Sequence, residues 1–101
     1  MRLLQTSCVA LLPTDVYYSW MHELAITEQI LRMVNERAAE GGAKAVTRVR
    51  LVVGAGQGYA GESIRMYFGM LSEGTLCEGA ELEYEMLPGS EFYIDNIEVK
   101  T

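Results

Sequence analysis

The sequence predicts an α+β domain: two amphipathic helices packed on one face of a small, roughly three-stranded sheet. Three observations carry that expectation. Apolar residues recur at helical spacing in two separate stretches, and each stretch runs into glycine. Three other stretches carry the shorter period of strands, with apolar and polar side chains alternating most clearly in the first two. The chain has 101 residues and half of them are apolar, which suffices for one packed core and not comfortably for two.

Residues 1–20 keep neither period, and Pro13 with Asp15 marks a turn. This segment reads as an N-terminal extension, poorly ordered or arising from an early start codon, with Met21 as the natural beginning. Its apolar residues faintly resemble a secretory leader. However, Gln5-Thr6-Ser7 interrupts them, and no small-x-small cleavage site follows before Trp20. Residues 21–101 then form a single domain. From Leu24, Thr27, Ile30, Leu31, Val34 and Ala38 fall on one helical face, and Glu28 precedes Arg32 by one turn. Gly41-Gly42 stops this helix.

Val46 to Val53 reads as a strand with Val49, Leu51 and Val53 on one face and Arg48 and Arg50 on the other. Gly54 to Gly61 contains four glycines but lacks the spacing of a phosphate cradle, so it reads as a flexible connection. Glu62 to Gly74 is the second helix, with Ile64, Tyr67, Phe68 and Leu71 on its apolar face and Gly74 as its cap. Leu82, Tyr84 and Met86 alternate with Glu81, Glu83 and Glu85 in the next strand. That glutamate row reads as a solvated face paired with Arg48 and Arg50. Leu87 to Ser90 would join it as a hairpin to the last strand, Glu91 to Val99, where Asp95-Asn96 marks a bulge.

The balance of 14 acidic against 8 basic residues, net −6, argues against nucleic acid and anionic membranes as partners. No apolar run approaches the roughly 20 residues of a membrane span. Cys8 and Cys77 lie far apart and outside any C-x-x-C, so they read as free, inert thiols of a reducing compartment. A cytoplasmic protein is the expectation. His22 is the only histidine, and no nucleophile–base arrangement can be assembled around it, so an enzyme is not expected.

His22 follows Met21 directly and precedes Glu23. If Met21 begins the mature chain, an amine, a backbone amide and an imidazole lie within two residues. Such nitrogens can wrap a metal in a plane, the geometry that nickel(II) and copper(II) favour.

Met21-His22-Glu23-Leu24-Ala25-Ile26 looks like the opening of the HypA family of hydrogenase and urease nickel incorporation proteins. The likeness continues through Val46–Gly54, Glu62–Phe68, Glu73–Leu82 and Gly89–Val99, spanning residues 21–100. The resemblance implies a metallochaperone that receives nickel(II) and delivers it to a hydrogenase large subunit, or to urease, together with a GTPase partner. It implies His22 as principal nickel ligand, with nitrogens of Met21 and Glu23. Two departures stand out. The extension would turn the Met21 amine into an amide. The family's two C-x-x-C pairs between the last two strands are missing, since Met86-Leu87-Pro88-Gly89 bridges that gap, so no structural zinc is expected. The rival reading is a metal-free interaction module of HypA-like fold that docks on maturation partners.

Overall fold

The computed structural model describes residues 2–5 and 19–101. Its elements run β1 (Arg2–Gln5), α1 (Ser19–Glu40), β2 (Ala45–Gly54), a 3-10 turn (Ala55–Gln57), α2 (Gly61–Leu71), β3 (Glu81–Leu87) and β4 (Phe92–Lys100). The sheet order is β1-β4-β2-β3. The α+β architecture is as expected, and β2, β3 and β4 are its three expected strands. The extension adds a fourth: Arg2–Gln5 pairs antiparallel with the outer edge of β4, a strand that its short length hid from any periodicity. The turn at Pro13 and Asp15 and the Cys8 thiol lie outside the described residues.

Helix α1 is longer than the apolar pattern alone predicts, beginning at Ser19 rather than Leu24. Its buried face holds Ile26, Thr27, Ile30, Leu31, Val34 and Ala38. The stop is as expected. Gly42 takes φ +73°, donating its N–H to Ala39 O, and the Ala43 N–H reaches back to Ala38 O at 2.9 Å. That pair of bonds satisfies the last carbonyls in the manner of a Schellman cap.

Helix α2 ends at Leu71, three residues before Gly74, and buries Ile64 and Phe68 on the same side of the sheet. It is the crossover that parallel pairing of β2 with β3 requires. Consequently β3 and β4 do not form the expected hairpin. They flank β2 on opposite sides, β4 antiparallel to it. The physical reason is that β2 is the most apolar strand, with Val49, Leu51, Val52 and Val53 all buried, and takes the centre of the sheet.

The connection from β3 to β4 crosses the end of β2, where the Gly54 N–H donates to Glu91 O at 2.6 Å and the Gly56 N–H to Gly89 O at 2.7 Å. The Gln57 side-chain amide bonds Ser90 O as well. The stretch expected to be a flexible connection is therefore tied down. Two bulges keep the apolar residues inward: Thr47 is extra on β2, and Asp95 is extra on β4, where a bulge was expected. Met86, which alternates with the glutamates as Leu82 and Tyr84 do, is exposed next to the end of β3.

The outer sheet face carries the anticipated charge ladder. Arg48 pairs with Glu83 at 3.3 Å and with Glu98, and Arg50 pairs with Glu85 at 2.6 Å and Asp95 at 3.6 Å. These groups are partly solvated, so each pair contributes at most about 1 kcal/mol. Their main effect is to pair Glu83 and Glu85 of the glutamate row, together with Glu98 and Asp95 of β4.

Candidate functional site

The three residues singled out by the sequence, Met21, His22 and Glu23, are consecutive in the first turns of α1. They lie within the helix, not just before it as a start at Leu24 would have them. The His22 ring is half-buried, and Glu23 is only 4% exposed.

Glu23 is held by an inter-element bond. Its Oε2 accepts the backbone N–H of Ala60, the residue that precedes α2. Ala60 occupies the N-cap position of α2 and has no side chain able to cap it. The carboxylate of Glu23 therefore does from another helix what a capping-box glutamate does locally, and it stands where the positive end of the α2 dipole favours an anion. The Glu23 carbonyl accepts the Thr27 hydroxyl at 2.6 Å, one turn on. One carboxylate oxygen and the carbonyl of Glu23 are thus engaged within the fold.

His22 lies against Tyr59. The two rings are 5.3 Å apart between centroids and tilted by 18°, an offset stack. Tyr59 in turn meets Phe92 edge-on, at 5.1 Å and 85°. Its side chain is 4% exposed, and its hydroxyl has no hydrogen-bond partner among the described residues. Burial, with the nearby Glu23 charge adding to it, pushes the phenol from 10.0 to about 12. Tyr59 escaped the sequence reading. The signal that could have found it is a single bulky aromatic inside an otherwise small-residue connection.

Cys77 is a free, fully buried thiol, pushed by burial from 9.0 to about 12, which leaves it without the thiolate that metal binding or nucleophilic attack needs. Among the described residues no three His, Cys, Asp or Glu side chains cluster in a manner suited to a metal. A planar site of the kind expected would instead draw on His22 and neighbouring backbone nitrogens. Also among the described residues, no helix is long and apolar enough to cross a membrane.

Comparison with known proteins bears on this arrangement. The family model described as "Hydrogenase/urease nickel incorporation, metallochaperone, hypA" matches residues 21–92. The hydrogenase maturation factor HypA of Dehalococcoides mccartyi strain 195 is 40% identical over 68 residues, covering 67% of this chain and 57% of that protein. The factor of the same name from Moorella thermoacetica is 44% identical over 68 residues, covering 60% of its length. This chain thus spans less than two thirds of the relatives it matches. In three dimensions it is similar to the nickel metallochaperone HypA from Helicobacter pylori, with TM-score 0.60 and 18% identity over 73% of this chain and 70% of that one, a likeness of fold. The family match begins at Met21, one residue before the His22–Glu23 pair, and runs through the Tyr59–Ala60 connection to Phe92. By that match the chain belongs to the HypA family of hydrogenase and urease nickel incorporation metallochaperones.

Proposed function

We propose that this chain is a nickel(II)-binding accessory protein that aids nickel insertion into hydrogenase, or urease, with His22 as its principal ligand. The observation that carries the reading is the position of the chain's one imidazole. It is half-buried at the start of α1 in a chain whose family is named for nickel incorporation. Nitrogens of Met21 and Glu23 complete the proposed set. The cargo passes to a hydrogenase large subunit in concert with a GTPase partner, and the chain itself is not an enzyme.

A planar set of consecutive nitrogens cannot form on a helical backbone, so nickel binding opens the first turn of α1. In the full chain that opening costs helical hydrogen bonds, because His22 and Glu23 are the fourth and fifth residues of α1; in a chain beginning at Met21 they fall in its first turn, where amides have no intrahelical carbonyl to lose. Nickel(II) titration of the full chain, of a chain beginning at Met21 and of His22→Ala tests the reading. One equivalent should bind the shorter chain and give the yellow, diamagnetic spectrum of a square-planar site. The full chain should bind more weakly, because an amide replaces the amine. Binding should weaken in acid, as protons compete for the ligand nitrogens. Undiminished binding by His22→Ala would sink the proposal.

One feature favours the rival, a metal-free interaction module. Helix α1 runs unbroken through Met21, His22 and Glu23, and the Glu23 carboxylate is committed to Ala60. Failure of all three chains to bind nickel would select that reading.

A further inference from the structure

We infer that Tyr59 is a positioning residue of the nickel site, holding the His22 imidazole by its face so that the ring edge stays presented to the metal. The inference rests on the reading of His22 as the ligand. Coordination uses a nitrogen lone pair in the plane of the imidazole. The Tyr59 contact uses the ring face, at 5.3 Å and 18°. The two interactions do not compete, so the stack can persist while metal is bound at the edge.

Both members of the stack are anchored, and by neighbouring residues. Tyr59 is buried edge-on against Phe92, 5.1 Å away. Glu23, which follows His22, binds the amide of Ala60, which follows Tyr59. Two rungs in register, ring on ring and carboxylate on amide, therefore join the first turns of α1 to the segment leading into α2. When the backbone before His22 opens to admit nickel, this pair of contacts is what keeps the imidazole from swinging away. The phenol hydroxyl has no hydrogen-bond partner among the described residues, so the flat ring is the working part of the side chain.

The test uses the full chain without metal and then with nickel(II). In metal-free protein the His22 ring protons should be shifted upfield by the Tyr59 ring current. Tyr59→Phe should keep that shift and the parent nickel affinity. Tyr59→Leu should lose the shift and bind nickel about tenfold more weakly, at the low end of the loss seen when an outer partner of a metal-binding histidine is removed. A leucine variant that folds and binds as the parent does overturns the positioning role and leaves His22 as ligand. His22→Ala binding like the parent overturns the ligand reading itself. Should Tyr59→Leu fail to fold, the diamagnetic nickel-loaded parent decides: nuclear Overhauser contacts between His22 and Tyr59 persist if the stack holds the ring, and their loss overturns the inference.

Discussion

Glu23 shows how much of a residue's role is settled by what it meets. A buried carboxylate must be answered by a donor, and here the donor is the backbone of a loop 37 positions away in sequence. Its proximity to His22 was legible in the chain; its commitment to Ala60 was not, because no local pattern encodes a long-range cap. The same holds for Tyr59, whose neighbours come from α1 and β4. Burial at Cys77 and Tyr59 leads to a measurable consequence. Both groups hold their protons to about pH 12 in the folded state, against 9.0 and 10.0 unfolded. Where the unfolded chain has lost a proton and the folded chain has not, stability falls as pH rises, by up to about 1.4 kcal/mol per unit for each group. Urea midpoints should therefore decline from about pH 9 upward, and Cys77→Ala should flatten the decline most between pH 9 and 10, where the thiol contributes more than the phenols. A slope unchanged by that substitution would show that Cys77 titrates normally.

At the scale of elements, the period of each segment was legible and the pairing of strands was not. The change of parity from Val46 to Val49, and from Ile94 to Ile97, is visible in the sequence, and it is resolved by the bulges at Thr47 and Asp95. A four-residue link after β3 suggests a hairpin, yet parallel pairing with β2 wins because α2 supplies the crossover. Gly54 makes the resulting passage possible. A Cβ there would sit 2.5 Å from Glu91 O and 2.7 Å from Gly89 O, both backbone atoms of the crossing connection. Gly69, exposed within α2, has nothing within 4 Å of its would-be Cβ. The same change should therefore have opposite signs at the two sites. Gly54→Ala should cost about 3 kcal/mol through overpacking, while Gly69→Ala should gain about 0.5–1 kcal/mol from helix propensity. Denaturant unfolding of both variants checks the pair, and equal effects would show that the crossing is looser than the packing says.

For the molecule as a whole, removal of residues 1–20 should trade sheet stability for metal binding at the proposed site. Removing them takes away β1, which covers the outer edge of β4, and the first two residues of α1. Loss of a four-residue edge strand should cost on the order of 1–2 kcal/mol, the net worth of one or two hydrogen bonds. A new amine at Met21 would also stand at the positive end of the helix dipole, a repulsion of about 0.3–1 kcal/mol that frays the first turn. Fraying is what the proposed nickel geometry needs, and the amine itself is a better ligand than the amide it replaces. The chain beginning at Met21 should therefore be less stable than the full chain and bind nickel(II) more tightly. Its β4 amides that face β1 should lose protection from hydrogen exchange, while those that face β2 keep it. Thermal unfolding, amide exchange and nickel titration on the two chains measure the three effects. If the shorter chain is destabilised, with β4 deprotected, yet binds nickel no better, opening of the α1 first turn is not what limits metal binding, and the ligand set proposed around His22 must be redrawn.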